Sequence, residues 1–139
     1  MLSILFVCSG NTCRSVMAEY IARRRIVGDV KFESAGFKPQ FPEDAENAID
    51  LLSQIGIDAS KHIPRSIHER DLNSYDRVIA MDKAIGRELK EIVDSSKLEI
   101  WKIRDPWGDD FEEYTRCAQK IMREVSRLRD KLISSSESA

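Results

Sequence analysis

The chain is poor in cysteine, has no long apolar run and carries no surplus of either charge. Each shortage removes a class of function. Three cysteines in 139 residues are an odd and sparse set, which argues against a disulfide framework and for a reducing compartment. No CxxC or HxxxH spacing occurs, so neither a structural zinc site nor any other metal or cofactor is expected. The longest apolar runs fall far short of a bilayer span. Met1-Leu2-Ser3 leads into the first of them without a basic stretch or a small-residue cleavage site, so no membrane association or export is expected. A net charge of -2, with both signs interspersed, provides no basic stripe for nucleic acid. What remains is a cytoplasmic chain of ordinary composition, long enough for one domain with its own core.

Leu2 to Val7 is a continuous apolar run that reads as a strand buried on both faces. From Ser15 to about Ile26 the pattern is helical. Val30 to Glu33 reads as a second strand, stopping at Ser34-Ala35-Gly36. Pro42 suits the first turn of a helix with Ala45, Ala48, Ile49, Leu52 and Ile55 on one face and Gly56 as its cap. Arg77 to Met81 is a third strand, and Asp82 is placed to cap a helix carrying Ile85, Leu89 and Ile92. Leu98 to Ile103 is a fourth strand, leading to Asp105-Pro106-Trp107-Gly108. A last helix spans roughly Asp109 to Ile133, its acidic start and basic end (Arg127, Arg129, Lys131) complementing the helix dipole. Residues 1–133 read as one domain, and 134–139 as a disordered tail. Strands alternating with helices imply an α/β fold with a parallel sheet covered on both faces. Ligands in such folds sit beyond the carboxyl ends of the strands, where Cys8–Ser15, Ser34–Gly36 and Asp105–Trp107 all fall.

The segment Cys8-Ser9-Gly10-Asn11-Thr12-Cys13-Arg14-Ser15 carries the chemistry. A strand ending at Val7 and a helix beginning near Arg14 leave a tight loop whose backbone N–H groups converge on one point, with the helix dipole behind it. Gly10 and Asn11 are the residue types that most readily take the positive φ such a loop requires. The result is a cradle for an anion of phosphate size, to which Arg14 adds a planar, permanently charged fork. Cys8 stands at its floor, where positive potential favours thiolate and makes the sulfur a nucleophile. Ser15 is placed to donate a hydrogen bond to that thiolate. Asp105, stiffened by Pro106, is a candidate acid for the leaving group and a base toward water. Cys13 is either a buried neighbour or the partner of Cys8 in a reversible disulfide, and Cys117 belongs to an amphipathic core helix.

The eight-residue loop resembles the signature of the low molecular weight protein tyrosine phosphatases. Ser34-Ala35-Gly36, His62-Ile63-Pro64-Arg65 and Asp105-Pro106-Trp107 match further segments of that family in order. The resemblance implies a three-layer, flavodoxin-like α/β fold with a four-stranded parallel sheet in the order 2-1-3-4 and helices on both faces. It implies a cytoplasmic, monomeric enzyme acting on phosphorylated protein or peptide, through a thiophosphate intermediate and without a metal. By the same match Cys8 is the nucleophile, Arg14 binds phosphate, Asp105 is the general acid, and Ser34 and His62 support the loop. Trp107 stands where eukaryotic members carry tyrosine, and is a candidate wall of the substrate cleft.

Thr12 bears on the substrate. Tyrosine-directed members often carry an aliphatic residue there, whereas the similar protein-arginine phosphatases carry threonine. Phosphotyrosine is the first expectation and phosphoarginine the alternative. Arsenate reductases share a similar loop, but their chemistry needs further cysteines to relay electrons, and Met81–Leu89 contains none. A phosphate-binding module without turnover is a third reading; it has no use for Cys8 or Asp105.

Overall fold

The apolar run at the start of the chain becomes β1 (Leu2–Cys8), and its place in the middle of the sheet explains why it has no polar face. A computed structural model describes the backbone of residues 1–138 and the side chains of residues 1–134. Four parallel strands lie in the order β2-β1-β3-β4, with β2 at Val30–Gly36, β3 at Arg77–Ala80 and β4 at Leu98–Ile100. The helices are α1 (Arg14–Arg25), α2 (Glu46–Gln54), α3 (Lys83–Leu89) and α4 (Phe111–Ser138). This is the α/β architecture and strand order expected.

Alternation along β1 divides the interior in two. Ile4, Phe6 and Cys8 face the larger core, with Met17 and Ile21 of α1, Leu52 of α2, and Ile121 and Val125 of α4. Leu5 and Val7 face the smaller one, with Val78 and Ala80 of β3 and Ile85 and Leu89 of α3. Each such fully buried aliphatic side chain contributes about 1.5–3 kcal/mol, so the central strand is the most firmly held part of the molecule. Cys8, its last residue, pairs with Gly36 of β2. Cys8 is thus carried by the most firmly packed element of the fold.

β1 runs one residue further than expected, to Cys8, and β3 stops one short, at Ala80; four other boundaries differ more. β2 continues through Ser34-Ala35-Gly36, because these small residues are buried and pair with Phe6, Val7 and Cys8. β4 ends at Ile100, since β3 has already ended at Ala80. Even so, Trp101 and Ile103 N–H still bond the carbonyls of Ala80 and Met81, at 2.8 and 2.9 Å, and carry the chain toward Asp105. The segment at Pro42 opens as a 3-10 turn (Pro42–Ala45) before α2, which Gly56 closes with φ +84°. The last helix runs to Ser138, so residues 134–138, expected as part of a disordered tail, are helical; Ala139 lies outside the described residues. An established helix gains one hydrogen bond for each residue added. Arg127, Arg129 and Lys131 consequently stand short of the last turn. Ile92 and Ile55 are each a little under half exposed, and Val93 takes the core place expected for Ile92. Among the described residues, no helix is long and apolar enough to cross a membrane.

Candidate active site

The turn from β1 into α1 folds so that its carbonyls face away from its centre. The segment after β2 draws three of them outward: Phe37 N–H donates to Cys8 O at 3.3 Å, Lys38 N–H to Ser9 O at 2.9 Å and Gln40 N–H to Gly10 O at 3.0 Å. His62 Nε2–H holds a fourth, Asn11 O, at 2.9 Å. With the carbonyls engaged outside, the N–H groups of Ser9, Gly10, Thr12, Cys13 and Arg14 are left without internal acceptors among the described residues. That is the arrangement of an anion cradle at a helix N-terminus. Asn11 alone supplies the left-handed turn, at φ 56°. Gly10, expected to share that duty, does not; its lack of a side chain makes room for Gln40 instead. Gly36 has the matching role behind the loop, where a Cβ would stand 2.7 Å from Ser9 O and 2.9 Å from Asn11 N.

A directional chain of side chains lies beneath the cradle. Asn11 Nδ2 donates to Ser15 Oγ at 2.8 Å and to Ser34 Oγ at 2.9 Å. Each serine, having accepted, directs its own proton onward. Ser15 Oγ sits 2.9 Å from Cys8 Sγ, and Ser34 Oγ donates to Glu19, itself paired with Arg23 at 2.6 Å. Asn11 N–H also points at Cys8 Sγ, 3.3 Å away, while Asn11 Oδ1 accepts from Arg65 N–H at 2.9 Å. Both contacts aim at the sulfur from the loop side. Burial pushes the His62 imidazole below its ordinary value of 6.5, against the opposing pull of its bond to Asn11 O. His62 is therefore a neutral ring at neutral pH, with its proton on Nε2.

Arg14 is almost wholly buried beside the loop. Its Nη1 is fixed by Asp82 at 2.8 Å and by Ile103 O at 2.9 Å, and its Nη2 stands 3.7 Å from Asp105. Burial works against the charge, but Asp82, Cys8 and Asp105 outweigh it and hold the guanidinium above its ordinary value. Burial likewise opposes ionisation of Asp82, yet the Ile85 N–H and Arg14 bring its carboxyl below the usual range. Asp105 also accepts Trp107 N–H at 3.0 Å, which turns Trp107 to the mouth. The loop forms the floor of a cavity of about 240 Å³, with Gln40, Asp105 and Trp107 around its rim. Among the described residues, no three His, Cys, Asp or Glu side chains converge as they would around a metal ion.

Every residue singled out in the sequence is thus brought to one place: Cys8, Ser9, Gly10, Asn11, Thr12, Cys13, Arg14 and Ser15 in the loop, Ser34 and His62 beneath and behind it, Asp105 and Trp107 opposite. Thr12 lines the cavity with its hydroxyl donating to Gln40 Oε1 at 2.5 Å. The thiols of Cys8, Cys13 and Cys117 are all free. The Cys117 thiol and burial together push the Cys13 thiol well above its ordinary value, so Cys13 keeps its proton. Sequence reasoning took Asp82 only as a helix cap, which it is, through Ile85 N–H at 2.8 Å. Its position just beyond the end of the third strand, where ligands sit in such folds, was the signal that it also reaches the site. Glu19 and Gln40 carried no such signal.

The model of the family "Low molecular weight phosphotyrosine protein phosphatase" matches residues 3–137. The chain belongs to that family. Among solved low molecular weight phosphatase structures, the protein tyrosine phosphatase from T. tengcongensis is 31% identical, with a TM-score of 0.85 over 94% of this chain and 99% of that one. The YwlE arginine phosphatase from Geobacillus stearothermophilus is 26% identical, with a TM-score of 0.89 over 99% and 97%. Arsenate reductase 2 of Staphylococcus epidermidis is 29% identical over 133 residues, 91% of this chain and 95% of its own. Family membership thus spans nearly the whole chain, and these relatives differ in the reaction their names describe.

Proposed function

We propose that this enzyme is a cysteine-dependent protein phosphatase acting on phosphoarginine, through a thiophosphate on Cys8. The wall of the cleft carries the choice of substrate. Thr12, Gln40 and Asp105 each bring an acceptor oxygen to it, and among the described residues no aliphatic side chain lines it and Trp107 is its one aromatic. A phosphoguanidinium presents N–H donors beside the phosphorus and needs such acceptors. A phenyl ring has no donor to offer them and forgoes those hydrogen bonds, each worth about 0.5–1.5 kcal/mol. This reverses the order expected from the sequence. Kinship in fold with an arginine phosphatase supports the same reading. Phosphotyrosine remains the second reading, because Trp107 offers an aromatic ring a surface at the mouth.

The chemistry follows from the placement of groups. The loop N–H groups and Arg14 Nη2 hold the phosphoryl oxygens, and their charge compensates that of the transition state. Cys8 Sγ attacks phosphorus; the S–P bond forms as the P–N bond breaks, and Asp105 gives its proton to the departing guanidine nitrogen. Water then attacks the thiophosphate, Asp105 takes a proton back, and the S–P bond breaks to release phosphate and the Cys8 thiolate, onto which Ser15 directs its proton. An arsenate reductase reaction would instead need two more thiols to carry electrons away. The other cysteines are Cys13 and Cys117, and a protonated Cys13 is poorly suited to that attack.

The test is a kinetic comparison of one peptide sequence bearing phosphoarginine, phosphotyrosine or phosphoserine. The highest kcat/KM is expected on phosphoarginine. A preference for phosphoserine, or arsenate-dependent oxidation of thioredoxin by the pure protein, would overturn the assignment.

A further inference from the structure

The segment that draws the loop carbonyls outward ends on Gln40, whose side chain folds back across the cradle. A Cβ on Gly10 would stand 2.6 Å from Gln40 Oε1 and 2.8 Å from its Cδ, so only glycine leaves this path open. Gln40 is tied at two points, by its own N–H to Gly10 O at 3.0 Å and by Oε1 to the Thr12 hydroxyl at 2.5 Å. It is solvent-exposed by area and still fixed in place, on the rim of the cavity above Cys8.

We propose that Gln40 is a specificity-determining residue, which takes the single proton of Thr12 and so turns the rim beside the phosphoryl group into a pair of neutral acceptors. A threonine hydroxyl has one donor and two lone pairs. Left free to rotate, it would aim its proton at the phosphoryl oxygens, whatever group bears them, and would favour no substrate. Engaged with Gln40, it keeps only lone pairs for the cleft, and the remaining lone pair of Gln40 Oε1 lies beside them. Guanidinium N–H groups match that pattern, and a phenolic ring has nothing to give it. The inference rests on the phosphoarginine reading and adds the residue that makes Thr12 selective.

The experiment uses the full chain and measures kcat/KM on phosphoarginine and phosphotyrosine peptides of one sequence. Gln40→Leu should lower the ratio of the two about tenfold, the scale of one lost hydrogen bond to substrate. Gln40→Glu retains the oxygen facing Thr12 and should hold the ratio within about threefold. Thr12→Val should lower the ratio as well, and Gln40→Leu added to it should lower it no further, because the two act as one unit. Equal losses on both substrates in Gln40→Leu would show a mere prop for the loop and overturn the inference, as would an unchanged ratio. Failure of the unmodified enzyme to hydrolyse phosphoarginine while it hydrolyses phosphotyrosine would sink the underlying reading, a result distinct from either. Thermal melting of each variant checks that it folds.

Discussion

The two sides of the phosphate loop are built on opposite plans. On the inner side Asn11, Ser15 and Ser34 are buried, and each polar side-chain atom has a partner, in a chain leading from Glu19 to Cys8. On the outer side Gln40, Asp105 and Trp107 are exposed to solvent and held by few bonds. A buried polar network is stable in one arrangement only, since every broken bond leaves an unpaired group in low dielectric. An open rim tolerates substitution. The inner side therefore suits a chemistry common to a family, and the rim suits the choice of substrate.

Variants can break this division or sharpen it. The largest effect belongs to the group the inner network serves. Cys8→Ser should reduce turnover of every phosphorylated peptide by about 10⁴-fold or more, while calorimetry still detects phosphate binding; retained turnover would remove Cys8 from the chemistry. Next is Asn11→Ala, which strips three side-chain hydrogen bonds from the inner side and places alanine at φ 56°. It should cost about 2–4 kcal/mol in denaturant unfolding and slow all substrates alike. A change confined to one substrate would erase the boundary between the two sides.

Thr12→Ile tests the rim. It should shift the phosphoarginine-to-phosphotyrosine ratio about tenfold toward phosphotyrosine with little change in stability. An unchanged ratio would mean that Thr12 does not select. The smallest effect is that of His62 on stability. Its folded pKa lies below the 6.5 of the free side chain, so as pH falls past 6.5 the unfolded chain takes up a proton that the folded one refuses. The stability His62 contributes is complete above that value and declines as pH drops toward the folded pKa. His62→Gln should flatten this part of a plot of unfolding free energy against pH, and an unaltered slope would show that the ring is not buried neutral.

The fold was legible in the sequence to the extent that its signals are local. Apolar runs, helical spacing and caps located all four strands and all four helices. The errors fell at ends, such as Ser34–Gly36 and Ile100–Ile103, where pairing with a distant strand sets the boundary. The site was legible for a related reason. Cys8 to Ser15 are contiguous, and a strand-to-helix turn with those residue types has few uses other than holding an anion.

Gly10 shows what a local reading misses. A glycine beside an asparagine in a tight loop suggests positive φ at both, yet only Asn11 adopts it, and Gly10 is needed to let a residue thirty positions away lie across it. Asp82 was visible as a cap because a cap is made with a residue three positions on; its bond to Arg14 spans 68 positions. By itself, then, the sequence determined the loop, the cysteine at its floor and the order of the elements that carry them, all properties of neighbouring residues. The tertiary structure decided which way Thr12 turns, what anchors Arg14 and how polar the cleft wall is. Those depend on side chains from separate strand ends meeting in space, and no local spacing records that.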